Sequence, residues 1–172
     1  MQRQSWPQAW LMTDERMGDG LGPAIARAAA AGAGVIVRHH ASPAAMRRDI
    51  ARQVLASGAL LGIARDTQLA AELGAVLVHN PEGDTLLPFS LSVHDEGEAL
   101  EAARRAPALV FVSPLFPTRS HADAPALGEE AARKLAALAS SPAYALGGVS
   151  RERGQELLAR GWAGWAGIDA WL

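Results

Sequence analysis

The sequence contains no cysteine. A disulfide scaffold, an iron–sulfur cluster and a thiolate zinc site are therefore excluded, because each of them is built from cysteine side chains. The absence of cysteine also fits a reducing compartment. There is no run of basic residues, and the formal net charge is -2. Nucleic acids and anionic membranes normally bind basic patches, so we expect neither as a partner.

Long apolar runs are also missing. No stretch approaches the roughly 18 apolar residues that a membrane-spanning helix needs. Residues 1–7 lack the apolar stretch and small-residue cleavage site of a signal peptide. We therefore expect a cytoplasmic protein.

The remaining composition is that of an ordinary globular protein, with 49% apolar and 20% charged residues. A chain of 172 residues has room for one sizeable core. The sequence therefore predicts a single domain over residues 1–172.

Short apolar runs alternate with helix-length segments along almost the whole chain. The runs are continuous, which is typical of strands that are covered on both faces in a parallel sheet. The predicted strands are 9–13, 34–38, 60–64, 75–79, 89–94, 108–114, 143–147 and 165–168. The predicted helices are 21–31, 46–57, 67–73, 96–106, 129–140 and 151–160.

Eight strands with helical crossovers favour a closed (β/α)8 TIM barrel. Residues 80–84 have turn chemistry, so a loop is expected in place of the fourth helix. The sequence stops directly after the eighth strand, so the final helix is expected to be absent or supplied by other segments. An open doubly wound sheet is the alternative, since barrels are usually longer.

Local signals mark where several helices begin. Ser42 followed by Pro43 predicts an N-cap with proline at the first helical position. Asp95 with Glu98 three residues later is a capping-box pattern. Asp66 before the helix at residue 67 is interpreted as a cap in the same way.

Candidate functional residues follow the predicted strands, where barrel enzymes place their chemistry. Arg38 ends the second strand and can hold a phosphate or carboxylate by two hydrogen bonds; a solvated loop cation is the alternative. Ser92 and His94 end the fifth strand on one face, which places a hydroxyl beside an imidazole suited to proton transfer. A structural histidine is the alternative for His94.

Two loops add to this set. Residues 113–121, after the sixth strand, are rich in hydroxyls and cations and can close over a ligand; a plain surface loop is the alternative. Gly147 and Gly148 join the seventh strand to its helix, where backbone amides and the helix N-terminus favour an anion. A plain tight turn is the alternative. Trp162, Trp165 and Trp171 are interpreted as packing residues; if exposed, they would favour an oligomer.

Taken in order, these motifs resemble the thiamine phosphate synthase/TenI family from about residue 10 to residue 171. The firmest stretches are Met-Thr-Asp-Glu-Arg at 12–16, Ser-Val-His at 92–94, the Pro-Leu-Phe-Pro-Thr loop within 113–120, and Ala-Leu-Gly-Gly-Val at 145–149. The resemblance implies a (β/α)8 fold and a role in joining or preparing the thiazole half of thiamine.

Two reactions occur in that family. The synthase joins an aminopyrimidine diphosphate to thiazole phosphate and uses magnesium to assist the departure of pyrophosphate. The tautomerase aromatises a thiazole carboxylate phosphate by moving a proton and needs no metal.

The resemblance carries over to binding residues position by position. Gly147, Gly148, Gly167 and Ile168 match the phosphate-binding backbone, and Asp169 stands where serine is common. In the loop after the sixth strand, Thr118 and Ser120 fit the hydroxyl pattern, and His121 stands where synthases have a diphosphate-binding lysine.

The synthase pattern is broken after the second and third strands. Arg38 matches the first residue of an Arg-Glu-Lys motif, but His39 and His40 replace the other two. One magnesium aspartate is replaced by Arg65, while Asp84 matches the other. Replacing a carboxylate by a cation should weaken magnesium binding severely, although Arg65 and a protonated His121 could contact diphosphate directly.

The Ser-Val-His triplet matches the TenI branch, in which the histidine is the acid/base. The sequence therefore predicts a tautomerase that uses His94, with Ser92 orienting the ligand or the imidazole, and no cofactor. The first alternative is a thiamine phosphate synthase that uses magnesium at Asp84. The second alternative, from a class of proteins that are not enzymes, is a non-catalytic sensor of a thiamine-related phosphate. In each case the expected partner is a small phosphorylated heterocycle, and a homo-oligomer is left open.

Overall fold

Eight parallel strands close into a barrel in the computed structural model, which describes residues 5–118 and 125–172. Each strand pairs with its sequence neighbours, and β1 closes the ring by pairing with β8. The strands are β1 Ala9–Met12, β2 Gly34–Val37, β3 Leu61–Ala64, β4 Leu77–His79, β5 Phe89–Val93, β6 Leu109–Val112, β7 Ala143–Ala145 and β8 Gly164–Gly167. The closed (β/α)8 barrel is thus confirmed over the open sheet.

The helices surround the barrel and cover the outer faces of the strands. They are α1 Leu21–Ala30, α2 Ala44–Ser57, α3 Thr67–Leu73, α4 Glu96–Arg105, α5 Gly128–Ala139 and α6 Arg151–Ala159. Residues 80–88, between β4 and β5, contain no helix, and β8 is followed by a three-residue 3-10 turn, Asp169–Trp171. Both departures from the regular alternation were predicted. None of the helices in the described part of the chain is long and apolar enough to cross a membrane.

Large side chains fill the barrel interior because neighbouring strands carry glycine. A Cβ at Gly34 would overlap the Trp10 ring, and a Cβ at Gly164 would overlap the Tyr144 ring. The Phe111 ring lies edge-on to Tyr144, with ring centroids 5.6 Å apart. The filled interior leaves the ends of the barrel as the places where a ligand can bind.

Tryptophans pack around β8 and the 3-10 turn that follows it. Trp165 and Trp171 stack with their ring centroids 5.4 Å apart, and both are buried. Trp162 is also buried. The predicted packing role is therefore met inside one chain, and these side chains give no support to an oligomer.

Two of the predicted helix starts are confirmed. Asp66 Oδ1 accepts a hydrogen bond from the Leu69 backbone N–H at 2.9 Å, and Asp95 Oδ1 accepts one from the Glu98 N–H at 2.9 Å. Both caps are contacts within one turn, which is why a sequence pattern can reveal them.

The predicted N-cap at Ser42 is wrong. Pro43 is the N-cap of α2, with no side-chain cap bond. The Ser42 hydroxyl instead donates to Glu15 Oε1 at 3.3 Å, and the same carboxylate accepts from the Ala41 N–H. A partner 27 residues away in the sequence decides the role of this serine.

Candidate functional site

A cavity of about 310 Å³ opens at the carboxyl ends of the barrel strands. Its walls come from the ends of β2, β6, β7 and β8 and from the loops that follow them. The lining residues are Arg38, Ser113, Pro114, Pro117, Thr118, Leu146, Gly147, Gly148, Val149, Ser150, Gly167, Ile168, Asp169 and Ala170. Six of the residues predicted to bind phosphate therefore lie around one cavity: Arg38, Thr118, Gly147, Gly148, Gly167 and Ile168.

The turn between β7 and α6 requires both of its glycines. Gly147 and Gly148 have φ of +92° and +64°, values that residues other than glycine rarely adopt. A Cβ at Gly147 would lie 2.7 Å from Pro114 Cα, and a Cβ at Gly148 would lie 2.5 Å from the Pro117 carbonyl oxygen. The loop after β6 therefore packs directly against this turn.

The carbonyl groups of the same turn are bound by protein donors. Leu146 O accepts from the Leu115 N–H at 2.8 Å, and Gly147 O accepts from the Phe116 N–H at 3.0 Å. Gly148 O accepts from the Arg153 guanidinium at 2.9 Å. These bonds fix the orientation of successive peptide groups beside the cavity.

The N-terminus of α6 adds a favourable field. Ser150 is the N-cap, and its hydroxyl accepts a hydrogen bond from the Arg153 N–H at 3.3 Å. Ser150 and Val149 line the cavity. The positive end of the helix dipole therefore lies beside the glycine turn, an arrangement that favours a bound anion.

Arg38 supplies a cation to the same cavity. Its guanidinium donates to Asp14 Oδ2 at 3.0 Å, and its Nε is buried without a hydrogen-bond partner. Burial lowers the pKa of Arg38, and the Asp14 charge opposes that shift. Burial raises the pKa of Asp14. The hydrogen bonds and the charge of Arg16, together with the charge of Arg38, have the larger and opposite effect, so the pKa of Asp14 is lowered. Both partners of this pair are therefore ionised at neutral pH.

A second cavity, of about 490 Å³, lies beside β5 and α4. Asn80, Ser92 and His94 are among its lining residues. Ser113 N donates to the Val93 carbonyl at 3.0 Å, so the end of β5 is next to that of β6 on the same rim. The structure thus brings Ser92 and His94 to the same end of the barrel as the glycine turn, but along a different cavity.

His94 is an exposed residue held by an acidic neighbour. Its Nδ1 lies 2.7 Å from Glu98 Oε2, and the same oxygen accepts from the His94 backbone N–H at 2.7 Å. In the usual capping box the Glu98 side chain would accept from the backbone N–H of the N-cap residue, Asp95, but here it accepts from the N–H of His94, one residue earlier. The imidazole can therefore exchange protons with solvent and with a carboxylate.

Beneath Ser92 lies a buried polar network that the sequence did not reveal. His79 Nδ1 is 3.0 Å from Ser90 Oγ. Asn80 bonds to Ser92 twice: its Nδ2 donates to Ser92 Oγ at 3.0 Å, and its Oδ1 accepts from the Ser92 N–H at 2.8 Å. Burial and, after it, the charges of nearby groups, Arg38 first, together lower the pKa of His79 to about 3. His79 is therefore neutral at physiological pH.

The described residues do not form a magnesium site from protein ligands alone. They contain no group of three or more His, Asp or Glu side chains placed to hold a metal. Asp84 is exposed in the loop after β4. Arg65, which stands where the family resemblance implies the second carboxylate, has its guanidinium 4.0 Å from Glu82 Oε1. A cation at this position opposes a divalent ion.

The remaining predicted residues are not in the cavity walls or lie beyond the described part of the chain. His39 is buried, with its Nδ1 2.9 Å from the Thr13 hydroxyl, whereas His40 is exposed. Ser120 and His121 lie outside the described residues.

Comparisons with known proteins concern the family and the fold of this chain. The family model described as thiamine monophosphate synthase matches residues 10–171. A curated thiamine-phosphate synthase from Pyrococcus furiosus is 31% identical over 124 residues, which is 72% of this chain and 56% of that protein. The aligned region thus spans little more than half the length of this relative.

Solved structures show the same fold. A thiamine phosphate pyrophosphorylase from Pyrococcus furiosus superposes with a TM-score of 0.72 at 23% identity, covering 95% of this chain and 86% of the other. The corresponding protein from Bacteroides thetaiotaomicron gives a TM-score of 0.65 at 19% identity, covering 94% and 82%. At these identities the likeness concerns the barrel itself.

Proposed function

The chain belongs to the thiamine monophosphate synthase family, and on that basis we propose that it joins an aminopyrimidine diphosphate to a thiazole phosphate with release of pyrophosphate. The observation that carries this proposal is the cavity between the two-glycine turn and the start of the 3-10 turn after β8. The name of the curated relative supports the coupling reaction over the proton transfer that the Ser-Val-His triplet alone favours.

The phosphate of the thiazole is proposed to bind at the glycine turn. Because the carbonyls of Leu146, Gly147 and Gly148 are bound by protein donors, an anion in the cavity would meet peptide N–H groups. Such charge-assisted hydrogen bonds are worth about 1.5–3 kcal/mol each. Asp169 also lines this cavity, and its charge acts electrostatically on Arg16 as well.

In the coupling step, the bond between the pyrimidine methylene carbon and the diphosphate oxygen breaks. A bond between that carbon and the thiazole nitrogen forms, and pyrophosphate leaves with the electron pair. Arg38, ionised on the cavity wall, is placed to stabilise negative charge on a departing phosphate group.

The second candidate is the tautomerase, which one observation favours. His94 is exposed, in contact with Glu98, and lines the same cavity as Ser92. An imidazole paired with a carboxylate is suited to take a proton from one ring atom and return it to another. This reaction needs no metal, which agrees with Arg65 in place of a carboxylate.

One set of incubations separates the candidates. The purified chain is given thiazole phosphate and the aminopyrimidine diphosphate, with magnesium or with a chelator, and thiamine phosphate is measured. The proposal predicts that thiamine phosphate forms. If it does not form, but the thiazole carboxylate phosphate is aromatised and His94→Ala abolishes that activity, the tautomerase is correct. Binding of thiazole phosphate without either reaction would support a non-catalytic sensor.

A further inference from the structure

Asn80 occupies an unusual position at the end of β4. Its backbone φ is +47°, and its N–H donates to the Ser90 carbonyl at 2.8 Å, as in a continuing parallel ladder. The next bond of such a ladder would run from the Ser92 N–H to the Asn80 backbone carbonyl. The Ser92 N–H bonds instead to the Asn80 side-chain oxygen, at 2.8 Å. The amide side chain therefore replaces the backbone carbonyl that the left-handed conformation has turned away.

That bond fixes which way the Asn80 amide points. Oδ1 must face the Ser92 N–H, because a backbone N–H can only donate. Nδ2, which is a donor only, then faces both Ser92 Oγ at 3.0 Å and His79 Nε2 at 3.3 Å. Two donors cannot face each other favourably, so His79 Nε2 carries no proton.

The tautomer of His79 follows. Its neutral ring has its proton on Nδ1, which donates to Ser90 Oγ at 3.0 Å. Ser92 Oγ accepts from Asn80, so the remaining question is which atom the Ser92 hydroxyl donates to. His79 Nε2 is an acceptor for it, at the long distance of 3.4 Å. Such a contact is too long to be a strong hydrogen bond, so the proton is readily given to a better acceptor at the rim of the barrel, which the end of β5 shares with the end of β6.

We propose that Asn80 and His79 are positioning residues that present the Ser92 hydroxyl as a hydrogen-bond donor to an acceptor atom, such as a ring nitrogen, of the heterocyclic substrate. This inference rests on the proposed function. Ser92 is the residue that touches the ligand, and Asn80 acts through it.

The role is tested by a double-mutant cycle on the affinity for thiamine phosphate, a probe that contains both heterocycles and needs no turnover. Ser92→Ala is expected to weaken binding about ten-fold, the value of one hydrogen bond. Asn80→Gly suits the left-handed backbone while removing the amide, and should weaken binding three- to ten-fold. Because Asn80 acts through Ser92, the double variant should be no weaker than Ser92→Ala within about two-fold. Ser92→Thr, which keeps the hydroxyl, should restore most of the affinity.

Multiplicative losses in the cycle, or unchanged binding in Asn80→Gly, would overturn the inference. The geometry is tested separately by the ring nitrogen chemical shifts of His79 in 15N-labelled wild-type protein, assigned with His79→Gln. A protonated Nδ1 and an unprotonated Nε2 are expected, and the opposite tautomer would overturn the inference even if the variants fail to fold. The wild-type chain could bind no thiamine phosphate while His79 has the expected tautomer. In that case the proposed function and the contact between Ser92 and the ligand are both wrong, and the hydrogen bonds among His79, Asn80 and Ser92 are correct.

Discussion

His79 should make the stability of the protein depend on pH in a measurable way. The imidazole is buried inside the barrel, between Ser90 and the edge of the Phe111 ring, whose centroid is 5.3 Å away. Burial lowers its pKa from 6.5 to about 3. In the unfolded chain the same imidazole becomes protonated below about pH 6.5.

The size and sign of the effect follow from this difference. Between pH 6.5 and 3 the unfolded state binds a proton that the folded state does not, so stability is lost as the pH falls. The loss approaches about 1.4 kcal/mol per pH unit, and it amounts to about 2 kcal/mol between pH 8 and pH 5. Above pH 6.5 the contribution is complete and constant.

The measurement is the free energy of unfolding in urea at pH 8 and pH 5, for the wild type and His79→Gln. Glutamine keeps an amide near Ser90 but cannot titrate. The wild type should lose about 2 kcal/mol more than His79→Gln over this interval. Phe111→Leu is the matched control, because it destabilises the same part of the core at both pH values and should retain the wild-type pH dependence. Equal pH dependence in the wild type and His79→Gln would refute the reasoning.

Three further changes test the cavity and the fold. Gly148→Ala should weaken thiazole phosphate binding at least about ten-fold, since it displaces the glycine turn. Gly161→Ala is the control: it has a similar positive φ with nothing within 4 Å of the added Cβ, so it should cost stability of about 1–3 kcal/mol without changing binding. Equal losses of binding in the two variants, measured by calorimetry, would contradict this. Asp66→Ala should lower the free energy of unfolding by about 1–2 kcal/mol through loss of the cap on Leu69, and a change near zero in urea titrations would show that the cap is unimportant. Tyr144→Phe removes a hydroxyl that donates to the Pro7 carbonyl at 3.0 Å and should cost about 1 kcal/mol; an unchanged melting temperature would argue against that bond.

Much of the fold is predictable because its signals are local. Continuous apolar runs identify buried parallel strands to within about two residues at either end, and Asp66 and Asp95 cap helices through bonds to residues three positions away. The prediction failed at Ser42, whose hydroxyl is taken by Glu15 from another loop. A contact between distant segments leaves no trace in the local pattern.

Which candidate residues gather around one cavity was predicted in part, but the layout of the rim was not. Gly147 and Gly148 were found from their place after a strand, and Gly167 and Ile168 from the family resemblance. That His94 lies along a second cavity depends on how β5 and α4 pack. The role of Asn80 was missed, because it requires both a left-handed backbone and a bond to the next strand. Asparagine directly after a strand and before Pro81 was the one available hint.

The phosphate site is tested by isothermal titration calorimetry, which compares the affinity of the chain for thiazole phosphate with its affinity for the same thiazole lacking the phosphate. Two charge-assisted hydrogen bonds from the glycine turn to the phosphate predict tighter binding of the phosphorylated form by at least about 100-fold. Affinities within two-fold of each other would contradict the central claim that this cavity holds a phosphate.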